Sequence, residues 1–393
     1  MDNVLQYSKK EIPSKINTIG IVLLVLGLLA AVLAFFVDHT RSTYNLLLNF
    51  MFIISIGLGS LFLVALEYVG GAVWSTPFRR VSEFLSALLY LVPLIAIPLF
   101  FNLHDLFHWS HQEAVESDRL LQQKSPFLNT SFFIIRGLVV FAIWMIFYFF
   151  ISRNSRNQDD NGKQVFTKRN IKLSAVFMPV FAFTISLAAI DWIMSLEAHW
   201  FSTIFGVYYF SGTVLAALAS ATIIIVLLKE NNYLPHGLVS DHYYSLGALL
   251  FAFTNFWAYI AFSQYLLIWY ANLPEETFWF AQRWEGSWQV ISLGIILVHF
   301  VIPYAGLLSQ PSKMNPRRLI IMSSWILFAH YYDLYWLIMP NFSKEGVIFG
   351  WIEIAFVIAT IGAIILLFGY KMRKNNLVPI GDPKLKRAMD FRL

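Results

Sequence analysis

The chain has 393 residues, of which 58% are hydrophobic and only 13% charged; 28 Lys and Arg stand against 23 Asp and Glu, a net charge of +5. Soluble domains run nearer about 45–50% apolar and about 25% charged, and a water-soluble chain of this size could not hide so much apolar surface. With a mean hydropathy of +0.63, this balance excludes an ordinary cytosolic enzyme and a disordered protein. It also excludes a nucleic-acid binder, because the basic residues sit in loops between apolar runs. There is no cysteine, so this chain can hold no disulfide, iron–sulfur cluster, covalently attached haem c or Cys-based zinc site. Any metal or haem would have to be held by His, Met or carboxylates.

A spanning helix needs about 20 mostly apolar residues. Ten such runs follow one another: Ile16–Val37, Leu46–Trp74, Phe84–Leu106, Phe132–Ile151, Ile171–Met194, Thr203–Leu228, Tyr243–Ala271, Gly286–Leu308, Leu319–Ile338 and Val347–Tyr370. The first is too long for a signal-peptide core of roughly 7–15 residues, so it reads as a span. Between the runs, the loop Arg153–Lys172 is polar and expected to be flexible. The loop His108–Asn129 is long and acidic. The tail after Lys371 is basic, expected as a solvated tail or as a segment lying on anionic lipid or a partner subunit.

Loop charges test the count. With the N-terminus inside, the outer loops hold only Arg41, Arg119, Lys124, Arg283 and Lys344, and Arg136 falls within a span; the remaining 22 of the 28 basic residues are inside. That bias obeys the positive-inside rule and supports ten spans with both termini cytoplasmic. The predicted fold is all-α and polytopic. Residues 1–45 carry the N-terminal segment and first span, 46–202 a first four-helix bundle (spans two to five), 203–340 a second (spans six to nine), and 341–393 the last span and the tail. Each bundle closes on an Asp followed by aromatic and Ile-Met residues, Asp191-Trp-Ile-Met and Asp333-Leu-Tyr-Trp-Leu-Ile-Met, as a weak parallel repeat would.

Ionisable side chains inside lipid cost roughly 2.5–3.5 kcal/mol each at a helix centre, so the few present are informative. They are Glu67, Arg136, Asp191, His299, His330, Asp333 and Glu353. With Asp241 and His242 at the inner mouth of span seven, they form a broken ladder of groups on which protons could move if waters or hydroxyls bridge the gaps. Some could instead pair structurally, Arg136 with Asp191 for one, and Glu67 and Glu353 lie close enough to helix ends to snorkel. His299 and His330 share a depth and could face each other across a haem, but their bulky neighbours Phe300, Tyr331 and Tyr332 argue against it. On the outer side, His104, His108 and His111 have helical i, i+4 spacing, which suits either zinc or an interfacial polar cap; His104 or His108 could also take a proton from a quinol hydroxyl. No metal is assigned from sequence. Gly57-x-Gly59, Gly70-Gly71, Gly206 and Gly212 read as close-packing positions. The 13 Trp and 18 Tyr gather at span ends, as aromatic belts do.

The stretch from Ala189 to Gly212, AIDWIMSLEAHWFSTIFGVYYFSG, closes span five and opens span six. It resembles the signature of the ten-span membrane subunits of bacterial alternative complex III, relatives of the NrfD/PsrC quinol-interacting family. The resemblance covers nearly the whole chain, and the length is more similar to the smaller, ActF-type of two paralogous subunits than to the ActC type. It implies an integral subunit of a quinol:cytochrome c (electron acceptor) oxidoreductase in the bacterial inner membrane. Quinol or menaquinol would be oxidised near the outer surface. Iron–sulfur and haem c groups would belong to partner subunits, with an ActC-like paralogue alongside and no cofactor held by this chain. The family's quinol pocket uses a His near an outer helix end and an Asp closing a bundle helix; the matching types here are His104 or His108, and Asp191. A stand-alone proton-coupled secondary transporter and a purely structural scaffold are the competing readings.

Overall fold

The computed structural model describes residues 10–393, and over these the chain is helical with no strand. Nine helices among the described residues are long and apolar enough to cross a membrane: α1 (Ser14–Val37), α2 (His39–Gly70), α3 (Thr76–Phe101), α4 (Thr130–Asn161), α5 (Gln164–Leu196), α6 (Phe205–Glu230), α7 (Ser240–Ala271), α8 (Trp288–Leu307) and, after the next helix, α10 (Trp351–Lys374). Helix α9 (Pro316–Ile338) is long enough at 23 residues, but the sequence His330-Tyr-Tyr-Asp333 makes it more polar than the others. The polar N-terminal segment before Lys10 lies outside the described residues.

Local chemistry sets the helix ends. Asp38 stops α1 and caps α2, its carboxylate accepting from the Arg41 amide at 3.0 Å. Asn129 caps α4 in the same way through Phe132 N–H at 2.9 Å, satisfying a donor that has no partner within the helix. Gly71 ends α2 at φ 65° and Gly162 ends α4 at φ 60°, a left-handed turn that glycine adopts without steric penalty. Gly70 and Gly71 therefore do not serve close packing: a Cβ at either would meet nothing within 4 Å. The polar stretch 153–172 is not a flexible loop. It continues α4 to Asn161 and begins α5 at Gln164, because Arg153–Asn161 has no helix breaker until Gly162.

Two helices are central. In α2 and α6, 89% and 83% of the apolar stretch is buried, against 22–50% in the other seven. They touch where Gly59 meets α6, a Cβ there falling 2.5 Å from the Thr213 carbonyl. The outlying α1 instead packs along α10. Gly20, Gly27 and Gly362 carry that contact; the Gly27 position abuts the Ala359 backbone, and a Cβ at Gly20 would lie 2.9 Å from Ile365.

At one end of the bundle the tail folds back. Leu377 and Val378 are fully buried, Asp382 bonds Arg79 at 2.8 Å, and the Ala388 carbonyl accepts from His242 Nε2 at 3.2 Å. The expected solvated tail is thus a docked one, since its apolar residues are covered and its acid meets a buried guanidinium. Lys10 donates to the Asn232 carbonyl at this same end.

Candidate functional site

The seven ionisable groups expected inside lipid separate into two kinds by their partners: four are held in ion pairs and three form a cluster. Arg136 on α4 grips Asp191 on α5 with both arms, at 2.7 and 2.8 Å, and bonds the Phe127 carbonyl at 3.1 Å. Glu353 is fully buried, held by Arg41 at 2.8 and 2.7 Å and by Asn45 at 3.0 Å. Glu67 bonds Arg79 at 2.8 Å and Ser75 at 2.7 Å. Neither glutamate snorkels: each finds a guanidinium at its own depth, which removes the incentive to reach for water. Around Arg79 the pairing extends to the buried Glu83, Arg80 and Asp382 and to the partly buried Asp159.

His299, His330 and Asp333 are different. They come together, one donor atom from each lying within 4.8 Å of the others, and all three are nearly fully buried. Among the described residues no Arg or Lys pairs with Asp333. Its two oxygens instead accept from the Tyr208 hydroxyl on α6 at 2.5 Å and from the Trp257 indole N–H on α7 at 3.2 Å. Trp257 also stacks on His299, ring centroids 3.7 Å apart and 14° between planes. His330 meets the Ser55 hydroxyl through Nε2 at 3.0 Å and presses on Gly212, where a Cβ would be 2.7 Å from the ring. Two nitrogens, His299 Nε2 and His330 Nδ1, are buried without a protein partner. His299 sits in a π-helical turn, Ile296–Val301, an irregularity that occurs frequently at functional sites. Trp257 against one imidazole and Gly212 against the other occupy the flanks that a porphyrin would need.

Beside this cluster a cleft of about 470 Å³ opens between α7 and α8. Tyr208 and Trp257 form its inner wall, Gln264, Tyr265, Phe280 and Trp284 line its sides, and the exposed Phe262 and Leu293 stand at its mouth. The two residues that bond Asp333 are thus the floor of an aromatic, mostly apolar cleft, the kind of concavity that takes flat lipophilic ligands.

The other candidates lie elsewhere. His104, His108, His111 and His199 line a polar cavity of about 450 Å³ with Asp105 and Glu197. Asp191 is not part of it, so the structure does not join His104 or His108 to Asp191. Nor do these histidines share a helical face: the helix Leu103–Leu106 breaks at the extended Phe107, and it is His111 that approaches His104, donating to its carbonyl at 2.8 Å. Asp241 and His242 belong to the tail contact. Val239 N–H donates to His242 Nδ1 at 3.3 Å, so both ring nitrogens are occupied, and Asp241 accepts from the Leu393 amide.

Reasoning from sequence missed Tyr208, Trp257 and Ser55. The one available signal was Trp257, a tryptophan in the middle of a span instead of at its end. Arg283, taken from sequence as an outer-loop charge, is fully buried. It donates to the carbonyls of Trp279, Trp336 and Leu337 at 2.9–3.2 Å, a cation at the C-terminus of α9 where the helix dipole favours it.

No protein-family profile and no curated protein sequence matches this chain.

Proposed function

We propose that this chain is a ten-span subunit of a bacterial quinol-oxidising respiratory complex of the alternative complex III type, and that it carries protons through the Asp333 cluster. In this reading α9 is the ninth span and completes the ten, both termini are cytoplasmic, and spans two to five and six to nine form two four-helix bundles in the inner membrane. Iron–sulfur and haem c subunits take the electrons, and an ActC-like paralogue sits alongside.

Asp333 carries the reading. Every other carboxylate expected within lipid has a fixed guanidinium as its partner; Asp333 has two imidazoles, a phenol and an indole. A carboxylate without a permanent countercharge, among groups that both accept and donate, can pass a proton on. The parallel with Asp191 sharpens the contrast. In the four-helix order of each half, the third helix offers Arg136 to Asp191 in one and His299 to Asp333 in the other. From His330, hydroxyls lead along the two central helices: Ser55, then the buried and unpartnered Ser60, Thr213 and Thr222, towards Glu67 and its Ser75, Thr76 and Arg79. Water between such hydroxyls would complete a relay. The aromatic cleft above Tyr208 is where this reading seats a quinol head, instead of His104, His108 and Asp191.

The test is Asp333→Asn in the assembled, purified complex. Proton release per electron is expected to fall while subunit composition stays the same. Unchanged coupling would remove Asp333 from the path. The subunit list after mild detergent extraction separates this reading from its rival, since a transporter would purify alone.

A further inference from the structure

We propose that His299, His330 and Asp333 form a binding site for one divalent late transition-metal ion of the zinc class. Two observations carry it together: one donor atom from each of the three residues lies within 4.8 Å of the others, and each of the two histidines has a buried ring nitrogen with no protein partner among the described residues. Buried polar atoms are seldom left so, because desolvating a nitrogen without replacing its hydrogen bond is unfavourable.

Tautomer logic points the same way. The Ser55 hydroxyl has two acceptors besides His330, the Met51 carbonyl one turn back at 2.9 Å and the Tyr209 oxygen at 3.1 Å, and its proton goes to one of them. Ser55 Oγ therefore accepts from His330 Nε2–H, leaving Nδ1 with its lone pair, the form that binds metal. That is the arrangement by which hydrogen bonds behind a ligating histidine orient it. Asp333 is oriented likewise by Tyr208 and Trp257, and His299 by its stack on Trp257. Gly212 supplies the space, since a Cβ there would crowd His330 Nδ1 at 2.7 Å.

Two imidazoles and one carboxylate are the donor set of open zinc sites, with a fourth position free. Magnesium and calcium call for more oxygens. Metal–ligand bonds of about 2.0–2.2 Å require the donors to close inward by about 1 Å, within the reach of a small side-chain rotation. The aromatic cleft ends on Tyr208 and Trp257, the two residues that bond Asp333. An ion here takes the very atoms a proton would use, so metal loading and proton transfer exclude each other. That last consequence rests on the function proposed above; the binding itself does not.

The experiment uses the full chain in detergent, stripped with chelator and titrated with cobalt(II). One equivalent is expected to bind, with the intense visible bands of a tetrahedral site, displaced by zinc. His299→Ala and His330→Ala are each expected to abolish those bands, and Ser55→Ala to weaken affinity about 10–100-fold. Should the histidine variants fail to fold, Ser55→Ala and the zinc-induced rise in the wild-type melting temperature still decide. Sub-stoichiometric uptake, the pale spectrum of a hydrated ion, uptake unchanged in the variants, or no melting shift at excess zinc would each overturn the proposal. None of these outcomes bears on proton release by Asp333→Asn, so the two ideas fail separately.

Discussion

Arg136 and Asp191 illustrate what partner geometry does to a residue's meaning. From sequence both were intramembrane ionisable groups, open to a place in a proton path or to a structural pair with each other. In the structure the guanidinium meets the carboxylate in a two-pronged contact and lies 3.8 Å over the Phe127 ring, so its charge is used up on structure. Removing one partner leaves a buried charge alone, which costs roughly 3–5 kcal/mol. Arg136→Ala is therefore expected to destabilise by about that much, and Arg136→Ala with Asp191→Ala by clearly less than the sum of the two. A denaturation series on the four proteins checks it; additive losses would mean the pair is not coupled. The same logic explains why Glu67 and Glu353 were misread as snorkelling groups. Their partners Arg79 and Arg41 lie 12 and 312 positions away, and no local pattern marks a pairing between α10 and the start of α2.

At the scale of elements, the structure turns on close approaches and local breaks. The α1–α10 contact depends on the absence of a Cβ at Gly27, since packing in lipid comes from fitted surfaces and not from water exclusion. Gly27→Val should lower stability by about 1–3 kcal/mol while leaving the α2–α6 core intact. A melting curve reads the loss, and limited proteolysis should locate it in α1. The break at Phe107 was invisible in the i, i+4 histidine spacing because periodicity reports a helix only while the backbone stays helical. Beyond it, the loop that carries helix Arg119–Lys124 is pinned by Asp118, whose carboxylate contacts His199 at 2.5 Å. That hydrogen bond holds Asp118 below its ordinary value of 3.8. The folded value being depressed, the contact contributes fully above the ordinary value and is lost as pH falls through the depressed one. Hydrogen exchange across residues 112–124 is expected to accelerate on acidification into that range, beyond the intrinsic change. An Asp118→Asn variant should show the faster exchange at neutral pH already.

For the whole molecule, chain direction is the testable quantity. The chain lacks cysteine, so single cysteines report position without a background. Glu113 and Glu275 are exposed at connections assigned outside, and Asn161 and Asn231 at connections assigned inside. An impermeant thiol reagent on intact cells is expected to label E113C and E275C but not N161C or N231C until the membrane is opened. Labelling of residues 275 and 231 from the same side would break the ten-span arrangement. The connections assigned inside do gather at one end of the bundle. There Arg79 bonds Asp382, Arg80 and the Gly381 amide meet Asp159, and His242 bonds the Ala388 carbonyl.

Composition and spacing, which are local and additive, determined that this protein is helical, membrane-embedded and sparing with charge, and they narrowed the chemistry to a handful of ionisable residues. What they could not determine is which of those residues face a permanent opposite charge. That depends on side chains brought together from helices far apart in the sequence: α4 with α5 for Asp191, α2 with α10 for Glu353, and α6, α7, α8 and α9 for Asp333. Only the tertiary structure decided it, and in doing so singled out His299, His330 and Asp333 as the group whose charges are not already spoken for.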